Sequence, residues 1–109
     1  MFIGNIFKRM GYVGESVSVT AGPYTMAGNI GMVLADGTAA AFSVLLPATP
    51  VDKQRSTVKK TDASVNAITM DGNTRTIDGL ATAVILHQNE LIEVEYNASE
   101  DAWFIVGVM

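Results

Sequence analysis

The chain holds one histidine, His87, within Leu86-His87-Gln88-Asn89-Glu90. A lone imidazole could act as a general base, or as a metal ligand if a threefold axis gathered three copies around one ion. No second ligand type lies at a telling spacing, so His87 reads as an ordinary hydrogen-bonding residue at a strand end. Asp71-Gly72-Asn73 and Asp78-Gly79 match fragments of calcium loops. The full alternation of oxygen ligands and the closing glutamate are missing, and turn chemistry accounts for these residues. Glu93 and Glu95 would stand about 7 Å apart on one strand face, a separation that two glycosidase carboxylates can use. Nothing near them builds a sugar cleft, and alternating acids keep a strand soluble. None of Ser16, Ser43, Ser56, Ser64 and Ser99 lies in a Gly-x-Ser-x-Gly elbow. Lys59-Lys60 with Asp62 lacks the glycine-rich loop that opens a helix and cradles phosphate. Tyr12, Tyr24, Tyr96 and Trp103 offer ring faces for a sugar platform, but Tyr96 and Trp103 flank a turn and fit a cross-strand core pair. The expectation is a protein that is not an enzyme, with no catalytic residue, cofactor or metal site.

The elements that would carry these residues are short strands and turns. Val58 and Lys60 alternate with Thr57 and Lys59, and Ile68 and Met70 alternate with Ala67 and Thr69, so each run can turn one face inward. Asp62, Ser64 and Asn66 lie between the runs as loop formers, and Asp71-Gly72-Asn73 and Asp78-Gly79 close two further turns. The stretch 57–79 therefore reads as a hairpin followed by a tight bend, a rigid display surface. Val17, Val19 and Ala21 alternate with Ser16, Ser18 and Thr20 before Gly22-Pro23, which predicts a half-buried strand and its stop. Ile30 to Ala35 and Ala40 to Leu46 are expected to pair as a hairpin through Asp36-Gly37, and 48–56 to form an exposed loop. Thr82 to His87 is a further apolar run. In Glu90 to Tyr96, Ile92, Val94 and Tyr96 would face inward and Glu93 and Glu95 face water. In the last run Trp103 and Ile105 share one face, and Phe104, Val106 and Val108 the other. Apolar residues on both faces imply that both are covered, the second by a neighbouring subunit.

Composition sets bounds on this reading. The 109 residues suffice for one domain. The chain has no cysteine, so disulfides and thiolate metal sites are excluded. That suits assembly in a reducing cytoplasm. A net charge of −4 gives no basic field for a phosphate backbone, and no nucleic-acid partner is expected. Apolar residues make up 49% and charged residues 17%, a balance that leaves a small domain apolar area to bury between subunits. The apolar stretch before Asp36 is broken by glycines and a proline, so no membrane span is expected. Phe2, Ile3, Ile6 and Phe7 fit one face of a short helix, with Lys8 and Arg9 near its end and Gly11 and Gly14 to stop it. No export signal is read there, because the charges follow the apolar residues. This arm, residues 1–14, would dock on another subunit or on a particle, or pack on its own domain, residues 15–109. The expected fold is all-β, a single antiparallel β-sandwich or jelly-roll-like barrel.

Five elements, in this order, carry a resemblance: Val33-Leu34-Ala35-Asp36, Val44-Leu45-Leu46-Pro47-Ala48, Val58-Lys59-Lys60-Thr61-Asp62, Thr76-Ile77-Asp78-Gly79 and Trp103-Phe104-Ile105-Val106. From Gly31 to the end, the chain resembles a β-structured module of bacteriophage virion proteins, found in tail-fibre segments, head fibres and small capsid-decoration proteins. The resemblance implies a homotrimer, placed on the virion after assembly in the host cytoplasm, with phage capsid or tail structural proteins as partners. In such a capsid decoration, cement or short fibre protein, Phe2, Ile3, Ile6 and Phe7 are the expected docking residues. Phe104, Val106 and Val108 are the expected subunit interface. Two other readings remain: the receptor-binding tip of a tail fibre, contacting its target through loops 48–56 and 62–66, and a monomeric carbohydrate-binding module using Tyr24 or Trp103.

Overall fold

The structure, a computed structural model, describes residues 14–109. They form nine strands: β1 (Glu15–Val19), β2 (Tyr24–Thr25), β3 (Ile30–Ala35), β4 (Phe42–Leu45), β5 (Arg55–Lys60), β6 (Ile68–Asp71), β7 (Thr82–Ile85), β8 (Leu91–Asn97) and β9 (Ala102–Val108). Among these residues no helix is long and apolar enough to cross a membrane. The strands make two sheets, ordered β1-β3-β5-β8-β9 and β2-β4-β6-β7. Consecutive strands from β1 to β6 alternate between the sheets, and each pairs in parallel with the next strand but one. The chain therefore winds as a flattened coil of three turns, one strand per sheet per turn. At the third turn the winding stops: β7 pairs antiparallel with β6, β8 with β5, and β9 with β8.

The expected all-β class holds, but the expected antiparallel pairing holds only for β5–β8, β6–β7 and β8–β9; the pairs of the winding are parallel and the two sheets are mixed. Ile30–Ala35 and Phe42–Leu45 lie in different sheets, and so do the runs around Val58 and Ile68. Period-2 alternation specifies which face of a strand is buried and is silent on the partner strand. A type I′ hairpin at Asp36-Gly37 would need left-handed φ, and Gly37 does not adopt it. Its N–H is instead taken by the Asp62 carboxylate at 2.7 Å. Asp78-Gly79 behaves as expected, with φ of 49° and 84° and paired hydrogen bonds between Ile77 and Leu80.

Inward side chains stack in rows across the strands, which is how the alternation becomes a core. Val17, Val33, Val58 and Ile92 form one row of the larger sheet. Phe42, Ile68 and Ile85 form a facing row of the smaller one, with Tyr24, Val44, Met70 and Ala83 beside it. The two sets make a single apolar cluster with Trp103. Ile92, Val94 and Tyr96 are buried as their pattern predicted, and Tyr96 stands directly opposite Trp103 with ring centroids 5.3 Å apart.

The two ends of the coil differ. At the β9 end the edge is covered: the Trp103 N–H donates to the Thr76 carbonyl, its carbonyl accepts from Asp78 N–H, and Asp78 Oδ1 takes the Ile105 N–H at 3.0 Å. Covering an edge strand in this way blocks pairing with another chain. At the β1–β2 end, Val17 and Tyr24 lie against the core yet are only partly buried.

Candidate functional site

Lys60 is the residue that chemistry would least place inside a β-protein. It ends β5 in the inward row Val19–Ala35–Lys60, and its exposure is 0%. Long-chain cations are almost never fully buried unless paired. Here the ammonium donates to Asp62 Oδ2 at 2.8 Å and to the Asn66 carbonyl at 2.9 Å. Asp62 is saturated in turn by the N–H groups of Gly37 and Ser64 and by the Ser64 hydroxyl. Asn66 Nδ2 donates to the Gly37 carbonyl at 2.8 Å, tying the β5–β6 corner to the β3–β4 corner of the previous turn. Burial opposes ionisation of Asp62, but the Lys60 and Ser64 side chains and the two backbone donors outweigh it and hold the carboxyl well below the usual carboxylate range. The β7–β8 corner continues the stack: Asn89 N–H donates to the Lys60 carbonyl at 2.7 Å, and Gln88 Nε2 reaches the Thr61 carbonyl.

The result is a fixed surface loop rather than a reactive centre. All donors and acceptors around Lys60 face each other, and at the tip of the loop they hold, Val65 is 92% exposed. Beside it a shallow groove of about 320 Å³ is lined by Ala63, Ser64, Val65, Leu86, His87 and Gln88. Within 57–79, one corner is thus a hydrogen-bonded loop with an exposed tip. The residues that create it are Lys60, Asp62, Ser64 and Asn66, which the sequence presents only as strand alternation and loop formers. The usable signal was the placement of Lys60 on the same face as Val58.

The candidates for chemistry lie apart. His87 is exposed in the β7–β8 corner, where its backbone N–H and that of Leu86 donate to Glu90 Oε1, and these two donors lower the Glu90 carboxyl's pKa. Glu93 and Glu95 face outward and bracket Arg55. Asp71 accepts the Asn73 N–H within its turn. Among the described residues, no three His, Asp or Glu side chains gather to hold a metal ion. Trp103 is fully buried, which removes it as a stacking surface for sugar. At the opposite corner Asp101 accepts from the Tyr96 hydroxyl and from Arg75 Nε at 2.7 Å. Those two donors lower the Asp101 carboxyl's pKa, and the carboxylate raises that of the Tyr96 phenol.

The expected interface residues lie on β9, and a bulge divides them. Phe104 stands opposite Glu95 on the outward face, whereas Val108 stands opposite the inward Ile92. The register skips at Val106, so Phe104 and Val108 do not share a face, contrary to the strict alternation. All three are nonetheless exposed, at 39%, 47% and 65% for Phe104, Val106 and Val108. The expected docking residues Phe2, Ile3, Ile6 and Phe7 lie outside the described residues.

No protein-family model matches the chain, and no curated protein does. Six chains of solved structures match it. One, from a structure described as "Structure of a chaperone-substrate complex", superposes with a TM-score of 0.56 at 16% identity over 87% of this chain. The chain spans only 17% of that protein's length. At this identity the likeness shows the fold alone.

Proposed function

We propose that the protein is a structural component of a bacteriophage particle, a capsid decoration, cement or short fibre protein that acts by binding and self-association as a trimer. The observation that carries this reading is the outer surface of β9. Phe104, opposite the outward Glu95, leaves apolar area in water beside the exposed bulge residue Val106, on a strand whose inward Trp103 completes the core. A strand committed to the core on one face and apolar on the other is suited to burial between subunits. The phage-module resemblance adds support, because its elements are the parts that hold this fold. Lys60 and Asp62 pin two corners, Asp78-Gly79 forms the tight turn over the β9 edge, and Trp103 anchors the core. The number three and the phage partner come from that resemblance.

The test is the mass of the protein in solution by light scattering, for the native chain and for Phe104→Ser/Val106→Ser. A trimer that dissociates to folded monomers in the variant is the expected result. A native chain that is monomeric at all concentrations overturns the self-association reading. Binding to phage particles that lack the protein then distinguishes a decoration or fibre role from other trimeric roles. One observation favours a second reading as a receptor-contacting tip: the immobilised loop 62–66 presents Val65 almost wholly to solvent.

A further inference from the structure

Asp36, Asp71 and Asp78 each precede a glycine, and the fold treats the three steps differently. An Asp-Gly step closes a five-membered imide when the glycine nitrogen bonds to the aspartate Cγ, which requires a free nitrogen and a backbone that accepts the ring. At Asp36 the Gly37 N–H is held by Asp62 Oδ1 at 2.7 Å, and Gly37 is buried. At Asp71 the Gly72 N–H donates to the Ala81 carbonyl at 3.1 Å, and Gly72 is buried as well. Asp78 and Gly79 are both exposed, and among the described residues the Gly79 N–H has no hydrogen-bond partner.

Ring geometry selects the same step. Closure eclipses the glycine nitrogen with the aspartate Cβ, which in an L-residue sets ψ at about −120°, the value at the first central position of a type II′ turn. That position also needs a positive φ. Asp78 already has φ of 49°, and neither Asp36 nor Asp71 has a positive φ. With Gly79 at 84° the turn is type I′, which differs from type II′ by rotation of the central peptide. The rotation takes Gly79 to negative φ, which glycine adopts at no steric cost. Ile77 and Leu80 stay paired, because both turn types close two-residue hairpins.

We propose that Asp78-Gly79 is a site of spontaneous isoaspartate formation, and that this modification loosens the cover of the β9 edge. The Gly79 nitrogen bonds to Asp78 Cγ, a C–O bond of the protonated carboxyl breaks, and the amide proton leaves with that hydroxyl as water. Water then adds to the imide. Opening at the Cγ carbonyl restores aspartate, and opening at the Asp78 main-chain carbonyl leaves isoaspartate, whose chain runs through Cβ and Cγ. The turn then carries an extra backbone carbon. The Cγ group whose oxygen takes the Ile105 N–H at 3.0 Å becomes part of the main chain, so that tie to β9 is lost.

The test holds the full-length protein at neutral pH and physiological temperature for weeks, native and, in parallel, unfolded in guanidinium chloride. Isoaspartate is located by electron-transfer fragmentation of the peptides. The native protein should accumulate it at position 78 at least about tenfold above positions 36 and 71, where the attacking nitrogens are released only by local opening. The unfolded chain should react at all three. Native accumulation at 36 or 71 that matches 78, or none at 78 while the unfolded chain reacts, overturns the proposal. Asp78→Asn, which expels ammonia in place of water, should convert faster through the same imide, and a variant that forms no isoaspartate at 78 overturns the ring geometry. None of these readouts involves trimer formation or a phage particle, so this proposal and the proposed function can fail separately. In the isomerised fraction, separated by chromatography, the Ile105 amide should exchange hydrogen about tenfold faster, with Val58 unchanged. Unchanged exchange at Ile105 overturns the link to the edge cover.

Discussion

Replacing Lys60 by Met removes the ammonium while keeping an unbranched chain of similar length, so the change isolates the charge. In the native protein that ammonium contacts Asp62 at 2.8 Å and the Asn66 carbonyl at 2.9 Å, with neither the Lys60 side chain nor that of Asp62 more than 5% exposed. Breaking a buried pair by deleting one partner costs about 3–5 kcal/mol, because the remaining charge is left uncompensated. Here the lower end applies. Asp62 keeps three donors, from Gly37 N–H, Ser64 N–H and the Ser64 hydroxyl. A loss near 3 kcal/mol is a large share of the roughly 5–15 kcal/mol that holds a typical domain. Urea unfolding followed by circular dichroism, at one fixed protein concentration because self-association would contribute, should show a lower midpoint with unchanged slope. The double variant Lys60→Met/Asp62→Asn removes both charges and should recover about 2 kcal/mol of the loss, since replacing a whole buried pair is often near neutral. A single-variant cost below about 1 kcal/mol, or strict additivity in the double variant, would refute the account of Lys60 as half of a buried, mutually dependent pair.

Acid should act on the same pair. The folded-state pKa of Asp62 lies below its unfolded value, so its contribution is fully present above about pH 4 and is lost as pH falls toward the folded value. The stability gap between native protein and Lys60→Met should accordingly be widest near neutrality and narrow below about pH 4, measured by urea titration at each pH. Thr74 holds a φ of 78°, which a β-branched residue tolerates poorly. Thr74→Gly should raise stability by about 0.5–1 kcal/mol, a few degrees in a thermal melt. Tyr96→Phe deletes the hydroxyl donor to Asp101 and keeps the ring against Trp103. A loss of about 1 kcal/mol in urea unfolding is expected.

Much of the strand content was legible because the buried rows obey period-2 spacing. Ile92, Val94 and Tyr96 alternate with outward Glu93, Glu95 and Asn97, and that pattern alone fixed their faces. The Asp78-Gly79 turn was legible for a different reason, since few residues other than Gly and Asp or Asn accept two successive left-handed positions. The path of the chain was not legible. A strand that turns back on itself and one that crosses to the opposite sheet show the same local pattern, and the deciding bond joins Gly37 to Asp62, twenty-five residues apart. Two-residue β2 is too short to carry a period. The bulge at Val106 is not legible, because nothing in Ile105-Val106-Gly107 except the glycine marks a skipped register. The burial of Lys60 is only half legible: alternation puts it on the face of Val58, but a buried lysine needs partners, and Asp62 and Asn66 have the composition of ordinary loop formers.

The spacing between paired strands is unequal from one turn of the coil to the next. Val17 pairs with Val33, sixteen residues on, and Val33 with Val58, twenty-five on, yet both pairs occupy the same inward row. Of the nine extra residues, two lengthen the corner between β3 and β4, two lengthen β4 relative to β2, and five, the largest share, fall in the corner between Leu45 and Arg55. Chain length at that corner is therefore decoupled from the alignment of the sheets. Doubling a loop adds only about 0.6 kcal/mol of closure entropy, so foreign peptides spliced between Ala48 and Thr49, both exposed, should be carried without re-tuning the frame. The molecule behaves as a chassis, in which novelty can accumulate at the bends while the scaffold beneath stays the same.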